Sequence, residues 1–258
     1  MKREYTFDVE TVTNECVQWI RNWFEKNGPG CNAIIGLSGG KDSTIVAALC
    51  AEALGPERVI GVAMPGKGQG INEADKIAEY LGIEFTVLPI GDICDLFNVT
   101  EGWSVQTLQN IPPRVRMTML YAVAQTFNGR VVGTCNASEN YIGYMTRWGD
   151  QASDFEPIGN LTVTEVLQIG DYLGLPYEWV HKVPDDGLPH SSPDEEKFGF
   201  SYAELDRYIR EGIEPEGKCN NSDELKIDKI KRMHTKNEFK LKPVQFFDPF
   251  VEVYDLDL

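Results

Sequence analysis

Residues 32–54 read NAIIGLSGGKDSTIVAALCAEAL, and the three parts of this stretch decide the fold. NAIIGL (32–37) is an apolar run without polar alternation, the pattern of a strand buried on both faces. DSTIVAALCAEAL (42–54) repeats apolar residues at three- and four-residue spacings, the pattern of a helix. Between them, GLSGGKDS (36–43) places a Gly-Ser turn at the helix start, where exposed backbone N–H groups and the helix dipole favour an anion. Gly39 and Gly40 let the backbone approach such a ligand closely, with Ser38 beside them. The loop is neither GxxxxGK[ST] nor GxGxxG, which demotes Walker-type ATPases and dinucleotide-binding dehydrogenases. Asp42 would repel phosphates unless a cation lay between, and Mg2+, a hard ion held by carboxylate and phosphate oxygens together, suits that place. SGG alone reads equally as a tight turn, with Asp42 as an ordinary helix cap. The full SGGKDS following a strand favours phosphate.

Working outward, residues 58–64 (RVIGVAM) predict a second strand, 71–81 a helix and 84–88 (EFTVL) a third strand. Two βαβ units in succession point to a parallel sheet covered on both faces. Residues 91–109 read as a loop region, 113–127 as a helix with proline in its first turn, and 130–134 (RVVGT) as a fourth strand. The fold class expected is α/β, a doubly wound parallel sheet with flanking helices, whose ligands lie beyond the carboxyl ends of the strands where strand order reverses. The loops after NAIIGL and RVVGT are therefore the first places to look. Beyond residue 149 the pattern weakens to helices at 162–173, 202–210 and 223–235. Residues 183–200 (VPDDGLPHSSPDEEKFGF) read as a mobile loop, and the aromatic, acidic tail from residue 244 has no assignment. No repeat or low-complexity linker interrupts the chain, so one domain over residues 1–258 is expected.

Composition narrows the function classes. The chain has 258 residues, 42% hydrophobic and 25% charged, which is enough apolar content for a sizeable core. A formal net charge of −16 disfavours a broad grip on nucleic acid, which depends on many Lys and Arg side chains. No run approaches a membrane span, and MKREYTFDVE lacks the apolar run of a signal peptide, so a cytoplasmic protein is expected. The six cysteines form no CxxC pair and predict reduced thiols rather than zinc or disulfides.

SGGKDS resembles SGGxDS, the pyrophosphate-binding signature of the N-type ATP pyrophosphatases. Residues 134–150 (TCNASENYIGYMTRWGD), with Gly133 before them, resemble the NAD synthetase pattern GTxxxxE…G[YF]xTxxGD. Residues 113–121 (PRVRMTMLY) and 194–209 (DEEKFGFSYAELDRYI) are similar to two further blocks of that family, in the family's order. The resemblance implies a Rossmann-like fold of the adenine nucleotide alpha-hydrolase type. It also implies a ligase reaction in which ATP adenylates the nicotinic acid carboxylate of deamido-NAD and ammonia displaces AMP. On that resemblance ATP is held by Gly36, Leu37, Ser38, Gly39, Gly40, Lys41, Asp42, Ser43 and Thr134, and Mg2+ by Asp42 and Glu139. Deamido-NAD falls to Arg114, Arg147, Asp154 and Lys240, while Asp150 lies near the reacting centre as the catalytic candidate. Arg116, two residues from Arg114, faces elsewhere and reads as structural. The family is homodimeric, and the 183–200 loop would act as a lid over a reactive adenylate.

The chain departs from the family at three places. Val163 stands where many relatives have a lysine that contacts ATP phosphates, and Lys41 is the expected replacement. VPDDGL (183–188) replaces PTADL, with Asp185 in place of a threonine, and Phe239 replaces a histidine. Glutamine-dependent members carry an amidase domain ahead of the phosphate loop. The 35 residues before Gly36 are too few for one, so ammonia is the expected nitrogen donor. The alternatives are another enzyme of the same loop class, such as one adenylating a tRNA base, or an ATP-binding module with impaired turnover.

Overall fold

The computed structural model describes residues 3–98, 102–182 and 193–247. Four strands, β1 (Asn32–Gly36), β2 (Val59–Ala63), β3 (Glu84–Val87) and β4 (Gly129–Val132), form one all-parallel sheet in the order β3-β2-β1-β4. The register pairs Ile34 with Ile60 and with Val131, so β1 is central and its residues are buried on both faces. Strand order reverses between β1 and β4, which are separate in sequence and neighbours in space. The expected doubly wound α/β sheet is therefore present.

Alternation along β1 divides the core. Ala33 and Ile35 join Ile20 and Phe24 of α1 (Val9–Asn27) and Ile45 and Leu49 of α2 (Lys41–Leu54) on one face. Ile34 joins Ile60, Val62, Met117, Leu120 and Val131 on the other. Each fully buried Ile or Leu stabilises this arrangement by roughly 1.5–3 kcal/mol relative to exposure. Helix α1 has no counterpart among the expected elements, although Thr13, Cys16, Val17, Ile20 and Phe24 repeat at helical spacing and Asp8 caps it by accepting from Thr11 N at 3.3 Å.

The connections need three corrections. After α3 (Asn72–Leu81), the 91–109 region expected as a loop contains α4 (Gly91–Asn98) and α5 (Val105–Gln109). Fully buried Ile90 anchors α4 by accepting from Cys94 N, and Ser104 caps α5 by accepting from Thr107 N at 3.1 Å. The helix expected from residue 113 starts two residues earlier as α6 (Ile111–Thr126), with Pro112 and Pro113 in its first turn, where a missing N–H costs nothing. Downstream of α7 (Ala137–Ile142), α8 (Val163–Tyr172) and α9 (Tyr177–Val180), the loop expected at 183–200 is not a loop throughout. Residues 183–192, Asp185 among them, lie outside the described residues, but α10 (Asp194–Phe198) is helical and buries Asp194 and Phe198. Phe198, Phe200 and Val163 pack with Tyr202 and Leu205 of α11 (Tyr202–Glu211) and Ile230 of α12 (Lys226–Asn237) in a third apolar cluster.

Candidate active site

The phosphate loop folds as its composition dictates. Gly39 has φ +81°, a left-handed conformation that a side chain disfavours, and a Cβ there would lie 3.0 Å from Glu73 Cβ on α3. Ser38 and Ser43 brace the turn from within: their hydroxyls lie 3.1 Å apart, and Ser38 Oγ accepts from Gly40 N at 3.1 Å. Helix α2 starts at Gly40, a cap without a side chain to accept from the first-turn N–H groups. That end is therefore chemically open.

Gly36, Leu37, Ser38, Gly40, Lys41 and Asp42 line a cavity of about 730 Å³ beyond the carboxyl ends of β1, β2 and β4. Thr134, Glu139 and Asp150 line it from the β4 side, whereas Gly39 turns toward Glu73 and Ser43 points back into the loop. The two predicted motifs, about 90 residues apart in the chain, thus meet across the reversal between β1 and β4.

Helix α7 carries Glu139 at a closed end. Asn136 Oδ1 accepts from Glu139 N at 3.0 Å while Glu139 Oε2 accepts from Asn136 N at 3.3 Å, a capping box. Asn136 also donates Nδ2–H to Asp42 Oδ1 at 3.4 Å, tying the two motifs together. Burial, reinforced by the Asp42 charge, pushes the Glu139 carboxyl up to about 8. Two mutually repelling carboxylates facing one cavity suit a hard divalent cation. Among the described residues no group of three or more His, Cys, Asp or Glu side chains forms a complete metal cage, so such an ion would draw its remaining oxygens from phosphate and water.

Asp150 is held by Thr146 N, which donates to its Oδ1 at 2.9 Å, and burial raises its carboxyl above the usual aspartate range. Cys135, buried behind the cavity, has its thiol pushed up by burial and by Asp150, and stays a thiol.

None of the four expected deamido-NAD residues lines this cavity, and of them Arg147 alone lines a second one. Arg114 donates to Arg147 O at 3.3 Å, and the Arg147 guanidinium lies 4.9 Å from the Trp148 ring centroid and 5.3 Å from that of Phe239. Arg147, Trp148, Phe239 and Lys242 line a second cavity of about 530 Å³. Lys240 donates to Gly143 O at 2.7 Å and Met145 O at 3.0 Å, fastening the end of α7, and the Asp150 charge acts on it. Asp154 stands apart: its carboxylate accepts from Val131 N at 2.7 Å along β4 and from the Tyr121 hydroxyl at 3.3 Å.

Several cavity residues escaped the sequence reading. Arg116 lines the cavity and donates to Met64 O at 3.1 Å and Gln69 Oε1 at 3.0 Å, fixing the β2–α3 loop. Its position on α6, two residues from Arg114, was the available signal. Lys182 pairs with Glu73 and donates to Gly39 O at 3.3 Å, and Asp194 accepts from the Tyr144 hydroxyl at 2.8 Å at the cavity margin. Lys182 has no local motif that would single it out, and Asp194 opens the block at 194–209, whose resemblance gave it no role.

The NAD synthase family model matches residues 12–244. The NH(3)-dependent NAD(+) synthetase of Archaeoglobus fulgidus is 40% identical over 206 residues, covering 78% of this chain and 83% of that protein. Among solved structures, NMN synthetase from Francisella tularensis superposes with a TM-score of 0.84 at 29% identity, covering 94% of this chain and 100% of that one. NH3-dependent NAD synthetase from Campylobacter jejuni, in complex with the nitrate ion, superposes with a TM-score of 0.74, also at 29% identity and with the same coverage. With both motifs joined in one cavity and the family model matching nearly the whole sequence, the chain belongs to the NAD synthase family.

Proposed function

We propose that the protein is an ammonia-dependent NAD synthetase, a ligase that uses ATP to convert the nicotinic acid carboxylate of deamido-NAD to the amide. The observation that carries this reading is the single cavity shared by the open start of α2 and the carboxylate of Glu139. Uncapped N–H groups at the phosphate loop receive phosphate oxygens, with the α2 dipole behind them. Thr134 lies across the cavity, where its hydroxyl is available to the nucleotide. Asp42 and Glu139 would hold Mg2+, which when bound neutralises phosphate charge.

In the first step a carboxylate oxygen of the substrate bonds to the α phosphorus of ATP and the bond to pyrophosphate breaks. In the second, ammonia bonds to the acyl carbon, AMP leaves with the bonding pair, and the nitrogen loses one proton. Ammonium must first lose a proton to become the nucleophile. Asp150 is the proton acceptor in this reading, since burial raises its carboxyl toward a base strength that an exposed aspartate lacks. The second cavity, with Arg147 beside two rings, offers flat faces and positive charge to the AMP half of deamido-NAD. That cavity favours the dinucleotide over a mononucleotide. Homodimeric assembly and work in the cytoplasm complete the proposal; among the described residues no helix is long and apolar enough to cross a membrane.

Incubation with ATP, Mg2+, ammonium and deamido-NAD is expected to yield NAD, AMP and pyrophosphate in equal amounts. Absence of NAD rejects the reading. Amidation of nicotinic acid mononucleotide in preference to deamido-NAD moves the substrate to the smaller nucleotide and leaves the chemistry in place.

A further inference from the structure

Lys41 is the third residue of the site's charge arrangement, and its surroundings are unusual for a lysine. It is 6% exposed, lines the cavity and sits in the first turn of α2. Its ammonium is 2.5 Å from Asp42 Oδ2, and the charges of Glu139 and Asp194 act on it as well. A lysine ammonium has three N–H donors. Among the described residues Asp42 is its single hydrogen-bond acceptor, which leaves the ammonium with donors to offer in the cavity it lines. The Tyr202 ring centroid lies 5.9 Å away, and the hydroxyl of this 4% exposed residue has no hydrogen-bond partner among the described residues. An ammonium so placed can direct its remaining N–H groups to an anion in the cavity.

Tyr202 also belongs to the apolar cluster that holds Val163. Val163 packs with Tyr202, Phe198 and Phe200 in the third apolar cluster, and its N–H donates to Ser138 Oγ at 3.0 Å. The start of α8 therefore brings an apolar side chain to this wall, and the cation reaches the same tyrosine from α2.

We propose that Lys41 is a built-in counter-ion: before nucleotide arrives it stands among the Asp42, Glu139 and Asp194 carboxylates, and on binding it gives up Asp42 to the divalent cation and turns its ammonium to the phosphate oxygens. This rests on the reading of Asp42 and Glu139 as the metal carboxylates. An ammonium is a compact point charge on a flexible stem and suits such an exchange. Charge-assisted bonds to phosphate then engage the ammonium donors.

The test uses the full chain as wild type, Lys41→Met and Lys41→Gln, with thermal unfolding and calorimetric titration of inorganic pyrophosphate. In EDTA both variants are expected to melt below wild type, because the carboxylates lose their counter-charge. Mg2+ alone is expected to raise the melting temperature of the variants and leave wild type nearly unmoved. Wild type is expected to bind pyrophosphate in EDTA, with affinity reduced about tenfold or more in the variants. Equal melting in EDTA, an equal Mg2+ shift in all three proteins, or equal pyrophosphate affinity overturns the proposal. Should neither variant fold, wild type decides alone: no pyrophosphate binding without Mg2+ rejects it. NAD formation by wild type is scored separately, so a failed exchange is distinguishable from a failed functional reading.

Discussion

Two helices start beyond the carboxyl ends of neighbouring strands, and their starts are built in opposite ways. Helix α2 follows β1 and is capped by Gly40, which has no side chain to offer the first-turn N–H groups. Helix α7 follows β4 and is closed by the reciprocal bonds of Asn136 and Glu139. An open start keeps its donors for a visiting anion; a closed start uses them to hold one fixed carboxylate in place. The cavity between them needs both, since phosphate must enter while the carboxylates that hold its counter-ion stay fixed.

The largest way to break this division of labour is Asp42→Asn, which leaves the open N–H groups but removes the carboxylate beside them. NAD formation is expected to fall by about 10³-fold; near-normal turnover in a steady-state assay would mean that the open start suffices alone. Next comes Gly39→Ala, which forces a side chain into φ +81° against Glu73. A loss of about 1–3 kcal/mol in chemical denaturation, with weaker ATP binding, is expected, and an unchanged denaturation midpoint would show that the loop tolerates a wider turn.

Glu156 tests the closed side through pH. Its carboxyl is half-buried beneath Gly133, where burial and the Asp150 charge raise it from an ordinary 4.5 to about 7, and its Oε1 has no hydrogen-bond partner among the described residues. Below pH 4.5 both folded and unfolded chains hold this proton. Between about 4.5 and 7 the folded chain holds it more tightly, so stability falls as pH rises and levels off above 7. Glu156→Gln is expected to flatten this slope and to add about 1–2 kcal/mol at pH 8, measured by urea unfolding across the range; a slope that survives the substitution assigns it elsewhere. The smallest effect is expected from Asn136→Ala, about 1 kcal/mol from the lost cap. Its sharper reading is kinetic, because Glu139 and Asp42 lose a shared tether, and a stability loss without a fall in turnover would make the capping box purely structural.

The sheet and both motifs were legible in the sequence because their signals are contiguous. NAIIGL is apolar on both faces, SGGKDS has little other use after a strand, and residues 134–150 carry their glycines and acids at fixed intervals. Lys182 was not, and Arg116 and Asp194, although inside the blocks at 113–121 and 194–209, were given no site role, since each reaches the cavity from a different element through contacts that exist only in three dimensions. Helices α4 and α10 were missed because short helices with half-buried faces leave weak periodicity amid Pro, Gly and acidic residues. Lys41 lies between these cases. Its place in the loop was legible, but its burial and its closeness to the Tyr202 ring were not.

Asp154 has a consequence unrelated to substrate. A parallel sheet ends in a strand whose backbone groups invite pairing with another chain. Here β4 is that strand, and a short return segment covers it: Asp154 N donates to Val131 O at 2.9 Å, Asp154 Oδ2 accepts from Val131 N at 2.7 Å, and Gly133 N donates to Phe155 O at 2.8 Å. A single aspartate thus shields the edge with its backbone and side chain together, placing negative charge where a foreign strand would otherwise align. Removing that carboxylate exposes the Val131 amide to exchange and gives an incoming chain its first foothold for aggregation.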